Sequence, residues 1–524
     1  MFERILSFLA FPELVYVAFI FLSIIICIPL LLFVVIKEKS KNYSLVNFKD
    51  IIPISVLIIL ALILFNIFVL PIPPIFGESA QAWKYLEQAK IIKDNEISLT
   101  QKLEQVPNVH SSHPSGYGFL LSLFIESSQD IDRGKFLGLI IFLVSIILSY
   151  VFLKLRLKKI IPAFLITLLL IFLPTNLNLL WGWQTELLVL PLLILLAFLT
   201  SQLKDNGRRN KLMSNQDKFK FVMLLLTILG ICNVKFEYSV IILFLPFILY
   251  DLPIKENKLF FGISLAIFFI LFTPILYHTF YYNSNEGNPF SLYSIIKNIQ
   301  ESSYPRRFVV WMSILAPVFF YLVLKDPLYL YPTLFSLAFL GFKNTTPSSF
   351  RYMGSFVLIF SFLLWKLFFE YHKFPKHVKL KSIVLLVVFI IINNVFLLPE
   401  VIRNNQQNKE TINDLLKIAI NYSSNYSIGF VFPYSEIIAP SIKNTLMRTY
   451  NESEIAEFVS YDSDSLNLNN LLTKMLNEYE EKEILLIIEP YSYDMYQVFD
   501  GIPEEYINFE RYDEFLFFNI STLG

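Results

Sequence analysis

The sequence predicts an α-helical polytopic membrane protein with a small α/β domain at its C-terminal end. Three observations carry this. Apolar residues make up 55 % of the 524-residue chain and charged residues only 16 %, against about 25 % charged in an ordinary soluble protein. Apolar runs long enough to cross a bilayer recur between residues 13 and 398 and then stop. At the same place the charge balance turns acidic, with 21 Asp/Glu against 8 Lys/Arg over 399–524 in a chain that is neutral as a whole. A soluble globular enzyme, a disordered chain and a disulfide scaffold are excluded. The expected division is a basic membrane domain, 1–398, and a soluble domain, 399–524.

A helix needs about 20 apolar residues to cross the hydrocarbon. The runs 13–36, 51–70, 134–153, 160–179, 185–203, 259–281, 308–324, 328–342, 353–369 and 382–398 meet or approach that length. The stretch 219–251 is apolar but broken by Asn233, Lys235 and Glu237, which predicts two short helices meeting at a polar hairpin. The total is roughly twelve spans. The first run is too long for a signal peptide and lacks a small-residue cleavage site, so it is read as a retained span.

Lys and Arg crowd alternate short loops: Lys37 to Lys49, Lys154 to Lys159, Lys204 to Lys220, Lys255 with Lys258, and Lys373 to Lys381. The positive-inside rule makes these cytoplasmic. Twelve spans then place both termini, the loop 71–114 and the acidic tail outside, in a multi-pass protein of the plasma (inner) membrane. In the tail, 412–420 and 466–479 have helical apolar spacing, while 427–432, 483–488 and 515–520 read as strands. It has no glycine-rich phosphate loop, hence no visible nucleotide site, and no nucleic-acid partner is expected.

An ionisable group inside a span costs about 2.5–3.5 kcal/mol, so such groups usually face a cavity or a partner. Five places stand out. Glu78 follows the second span; position alone suits a solvated loop carboxylate. His110 to Tyr117 closes the long loop before a short apolar run, 119–124, suited to a helix at the interface. With two His, His110 and His113, and no third ligand at helical spacing, a Ser-, Gly- and Pro-rich turn is favoured over a metal site. Glu186, after Trp181-Gly182-Trp183, opens a long apolar helix, either as part of an N-terminal cap with Thr185 or as a site. Lys235 and Glu237 lie two apart in an apolar stretch, which favours a cavity lining over a structural ion pair. Arg351, before Tyr352, either binds phosphate through its planar fork or snorkels to the interface. On this topology Glu78, His113, Glu186 and Arg351 emerge on one face, and the Lys235 hairpin approaches it. Acids, bases and cations at one membrane edge describe a site for a lipid phosphate.

The arrangement resembles the GT-C superfamily of membrane glycosyltransferases, in particular the protein O-mannosyltransferases and the lipid A aminoarabinose transferases. Glu78 is similar to the acidic residue on the family's first external loop, although many members have two adjacent acids where this chain has Gly77-Glu78. His113-Pro114-Ser115-Gly116-Tyr117 resembles the family's proline turn, and Arg133 stands where an Arg is frequent. Thr185-Glu186-Leu187-Leu188 is similar to the second acidic motif. Val234-Lys235-Phe236-Glu237 and Arg351-Tyr352 are similar to later basic motifs. The resemblance spans about 50–371. It implies a sugar donor on a polyprenyl phosphate and a glycan, lipid or protein acceptor at the outer face of the bilayer. Glu78 would be the base and Glu186 would orient the acceptor or help hold a cation. Lys235, Arg351 and Tyr352 would hold the donor phosphate, with His113, Tyr117 and Glu237 contacting substrate. A divalent cation is the one cofactor to consider, with unassigned ligands. The rival readings are a lipid-linked glycan polymerase or ligase, and a transporter or flippase.

Overall fold

The computed structural model describes residues 48–70, 89, 116–125, 131–171, 185–207, 212–234, 241–285 (except 243 and 251), 292–301, part of 311–388, and five strands between 426 and 520. The first span, the loop 71–114 apart from Ala89, and the expected tail helices lie outside them. The chain divides into two compact units, Met1–Pro71 with Tyr85–Val401 and Ile72–Lys84 with Ile402–Gly524.

The first unit is helical. Its helices are α1 (Phe48–Leu64), running on as a π-turn (Phe65–Val69), α2 (Gly116–Ser122), α3 (Ile131–Leu157) and α4 (Ile160–Ile171). There follow α5 (Thr185–Gly207), α6 (Asn215–Val234), α7 (Phe244–Leu249), α8 (Lys258–Asn285) and α9 (Leu292–Glu301). Among the described residues, four stretches are long and apolar enough to cross a membrane: Lys49–Ile67, Arg133–Leu157, Leu187–Lys204 and Lys255–Thr273.

Burial separates the centre from the rim. In α5, 94 % of the span is buried, against 22 % in α1 and in α8. On α1 the exposed residues Ile52, Val56, Ile59, Ile63 and Ile67 recur every three or four positions, which is one helical face. On α8, Leu259, Ile263, Ile267 and Ile270 do the same. Such stripes suit lipid, while α5 is apolar all round because protein surrounds it. Buried hydroxyls in this apolar body turn back on their own helix. Ser145 donates to the Ile141 carbonyl at 2.8 Å, Thr167 to Ala163 at 2.9 Å and Thr227 to Met223 at 2.7 Å, so no partner from another helix is required.

Named contacts fix how the helix ends group. At the start of α1, Asp50 pairs with Lys154 and accepts from the Tyr150 hydroxyl, both near the end of α3. At the other end, Lys135 donates to the Leu70 carbonyl at 2.9 Å. From Asp50 to Leu70 the helix rises roughly 30 Å, the thickness of a hydrocarbon core. Helices α1 and α3 are therefore antiparallel. Phe152 stacks on Phe198 at 4.5 Å, which joins the C-terminal halves of α3 and α5. Helices α5 and α6 pack along each other and are linked by only 208–214, so they too are antiparallel. Phe221 meets Phe261 edge-on at 4.8 Å, which brings the starts of α6 and α8 together. Lys204 reaches Asp326 at 3.5 Å, and the Tyr329 hydroxyl donates to Glu370 at 3.1 Å. The basic helix ends thus lie together, and Leu70, Lys135, the start of α5 and the end of α6 lie at the opposite end.

The helix over 219–251 differs from the sequence reading. Its first part, α6, is a full 20 residues and starts at Asn215. Ser214 explains the early start: its Oγ accepts from the Asp217 amide at 3.1 Å and donates to the Asp217 carboxylate at 2.7 Å. Ser214 is thus the N-cap, its hydroxyl oriented by Asp217, and it lies before the apolar run begins.

The second unit contains a five-stranded sheet: β1 (Tyr426–Phe432), β2 (Ala456–Ser460), β3 (Glu483–Ile488), β4 (Ile507–Tyr512) and β5 (Phe515–Ile520), in the order β2-β1-β3-β5-β4. β1 pairs in parallel with both β2 and β3, Ile428 lying opposite Ala456 on one side and Leu485 on the other. Parallel neighbours need long crossovers, which 433–455 and 461–482 are long enough to supply. β5 is antiparallel to β3 and closes a hairpin with β4, Tyr512 facing Phe515.

Candidate active site

Of the eight residues singled out by the sequence, Tyr117 lies among the described side chains and Glu186 among the described backbone. Glu78, His113, Lys235, Glu237, Arg351 and Tyr352 lie outside the described residues. Tyr117 is the second residue of α2 and is fully buried, as is Leu121 one turn later. This pair is the inward stripe of a seven-residue helix that packs against α6. The apolar residues beyond it, Leu123 and Phe124, are exposed.

Glu186 is the second residue of α5. Four amide N–H groups are unsatisfied at any helix start, and the partial positive charge there favours a carboxylate. The cap reading and the site reading of Glu186 both use that field. The buried helix behind it holds its start in place: Leu187 to Leu199, apart from Pro191, are all buried apolar side chains. Proline at 191 removes one intrahelical amide in the second turn.

Helix α6 ends at Val234, which is 1 % exposed. Lys235 is the next residue in the sequence, so a well-packed helix delivers the chain to it. Because α5 and α6 are antiparallel, Val234 and Thr185 belong to the same end of the pair. The end of α1, which precedes Glu78 in sequence, and the start of α3, with Arg133 exposed, belong to that end as well.

Sequence reasoning missed the three polar contacts that tie α1 to α3. Lys135 is 3 % exposed and Asp50 fully buried. Both flank apolar runs, where a charged residue reads as a boundary marker. The signal lay in their spacing: Asp50 to Leu70 and Lys135 to Lys154 are helices of nearly equal length. Elsewhere, a surface groove of about 410 Å³ is lined by Pro246, Leu249, Tyr250, Pro253, Lys255 and Glu256. It lies next to the start of α8, among the basic helix ends. Among the described residues no group of His, Cys, Asp and Glu is placed to hold a metal.

No protein-family model matches the chain, and no curated protein matches it. Solved structures do. The chain is similar to ArnT from Cupriavidus metallidurans. The structure bound to undecaprenyl phosphate aligns at 9 % identity and a TM-score of 0.45, over 89 % of this chain and 97 % of that one. The apo structure aligns at 10 % identity and a TM-score of 0.42, with the same coverage.

Proposed function

We propose that the chain is an integral membrane glycosyltransferase that moves a sugar from a polyprenyl-phosphate carrier to an acceptor on the extracytoplasmic side. The observation that carries this reading is the shared end of α5 and α6. It puts the backbone at Glu186 and the backbone leading into Lys235 at the same end as Leu70 and Lys135. In this reading the Glu186 carboxylate and the Lys235 ammonium act from that end, which suits an acid–base reaction on a lipid phosphate. The proposed domain division is the membrane body, 1–398, and an extracytoplasmic α/β domain, 399–524.

In the reaction the acceptor hydroxyl attacks the anomeric carbon. Its proton passes to the Glu78 carboxylate as the new C–O bond forms. The bond from the anomeric carbon to the phosphate oxygen breaks, and the polyprenyl phosphate leaves with the electron pair. Lys235 and Arg351, with Tyr352 beside it, stabilise the charge that grows on that phosphate. Glu186 orients the acceptor, and His113, Tyr117 and Glu237 contact substrate. Direct displacement inverts the anomeric configuration.

The test uses the whole protein in proteoliposomes loaded with radiolabelled polyprenyl-phosphate sugars and candidate acceptors. Transfer with release of free polyprenyl phosphate is the expected result. Movement of the intact lipid-linked sugar between leaflets, with no bond broken, assigns the chain to transport instead.

A further inference from the structure

Helix α9 carries its exposed residues the wrong way round for a helix in water. Leu292 and Tyr293 are 73 % and 72 % exposed and Ile296 is 57 % exposed, while Ser294 is 6 % exposed. A helix on a soluble protein turns its apolar face inward and its polar face out. Here Leu292 and Ile296, one turn apart on a single face, point away from the protein. Ile295 and Ile299 beside them are half-buried, and Lys297 and Gln300 are exposed along the flank.

We propose that α9 is an interfacial helix whose face of Leu292, Tyr293 and Ile296 rests in the boundary layer of the bilayer, with lipid as its occupant. The tethers argue for lipid. α8 ends at Asn285, and residues 286–291 lead into α9. After Glu301, residues 302–307 lead into the next apolar run. Tethers of this length reach at most about 25 Å, so α9 stays near the end of α8 in a chain whose neighbouring stretches are apolar. The helix rises roughly 15 Å, half of what a span needs, so it is too short to cross the membrane. The stretches before and after it in the sequence also carry exposed apolar side chains. Ile263, Ile267 and Ile270 precede it on α8, and Trp311, Leu315 and Leu322 follow, all exposed. An exposed tryptophan at the head of a span is a mark of the interface. Lys297 has the reach to lay its stem on the apolar layer and its ammonium among headgroup phosphates.

The test uses the full chain with Cys27 and Cys232 replaced. Single cysteines at Leu292, Ile296 and Lys297 carry a nitrobenzoxadiazole dye in vesicles of phosphatidylcholine and phosphatidylglycerol. The dye on Leu292→Cys and on Ile296→Cys is expected to emit to the blue, to be quenched by doxyl-labelled lipid and to lose quenching by aqueous iodide. On Lys297→Cys, a third of a turn away, iodide quenching is expected to be stronger. Iodide quenching at 292 and 296 as strong as for free dye, with no effect of doxyl lipid, overturns the proposal. A disulfide between two unlabelled copies of Ile296→Cys, with the dye at 292 screened from lipid, gives the face to a second chain and overturns it equally.

Discussion

The Asp50 carboxylate, fully buried at the start of α1, accepts a 2.8 Å hydrogen bond from the hydroxyl of Tyr150, one hundred residues later on α3. Its second oxygen pairs with Lys154, one turn on along the same face. A buried carboxylate is tolerable only when such partners replace its water. Removing one partner strands the other in a medium that solvates charge poorly. Asp50→Ala is therefore expected to lower stability by about 3–5 kcal/mol, read as a fall in the melting temperature of the detergent-solubilised protein. The double variant Asp50→Leu with Lys154→Met is expected to recover most of that loss, because no charge is left alone. A double variant no more stable than the single one would show that the pair acts by some route other than mutual neutralisation.

At the far end of the same two helices, Lys135 donates to the Leu70 carbonyl. The π-turn before it ends with the Leu70 amide on the Phe65 carbonyl at 2.9 Å, and Leu70 then closes the described helix. Carbonyls at a helix end lack partners, and a buried ammonium satisfies one of them. Lys135→Met keeps the apolar stem and removes the donor. The expected cost is about 1.5–3 kcal/mol, the range for a hydrogen bond to a charged group. Hydrogen exchange at the amides of 66–70 should quicken, and unchanged protection there would remove the capping role.

Long apolar runs were legible because a span must be apolar throughout; their ends were not. The run 134–153 is the middle of α3, whose ends at Ile131 and Leu157 lie in mixed sequence that hydrogen-bonds as well as any other. Helix α9 is too short and too polar to register as a span, and its meaning comes from which face is exposed. In the sheet, the runs 427–432, 483–488 and 515–520 correspond to β1, β3 and β5, the three inner strands. Inner strands read as nearly continuous apolar runs. The strands missed, β2 and β4, are the two edges, where Ala456-Glu457-Phe458 and Phe509-Glu510-Arg511 mix charge into the pattern as edges do. For the site, the sequence offered residue types along the chain. The alternation of basic loops already related Glu186 to the Lys235 hairpin; the sequence did not show that α5 is buried on all sides, which is what holds its start in place.

Lys235 and Arg351 are proposed to hold the donor phosphate. Arg351→Ala and Lys235→Ala are each expected to weaken binding of a polyprenyl phosphate far more than they lower the melting temperature. Arg351→Lys should be impaired too, because an ammonium is a point charge and does not offer two parallel N–H donors. Binding of fluorescent polyprenyl phosphate to the reconstituted protein reads both effects. Unchanged affinity in both alanine variants would take the phosphate away from these residues.

Glu78 is the sharpest test of the proposed chemistry. It is the only acid between the end of α1 and Trp83, and the chain reaches it eight residues after Leu70. A carboxylate that has partly left water is a stronger base than one in bulk solvent, because desolvation disfavours its charged form. Loss of a general base costs about 10²–10⁴-fold in rate. Glu78→Gln preserves shape and removes the proton acceptor. The expected variant folds, melts like the parent and binds polyprenyl phosphate, yet transfers sugar at a rate lower by that factor. Full transfer in Glu78→Gln would place the base elsewhere, and Glu186→Gln and Glu237→Gln, assayed in the same vesicles, then separate the two remaining acids. A lowered melting temperature with transfer intact would make Glu78 a structural residue of its loop.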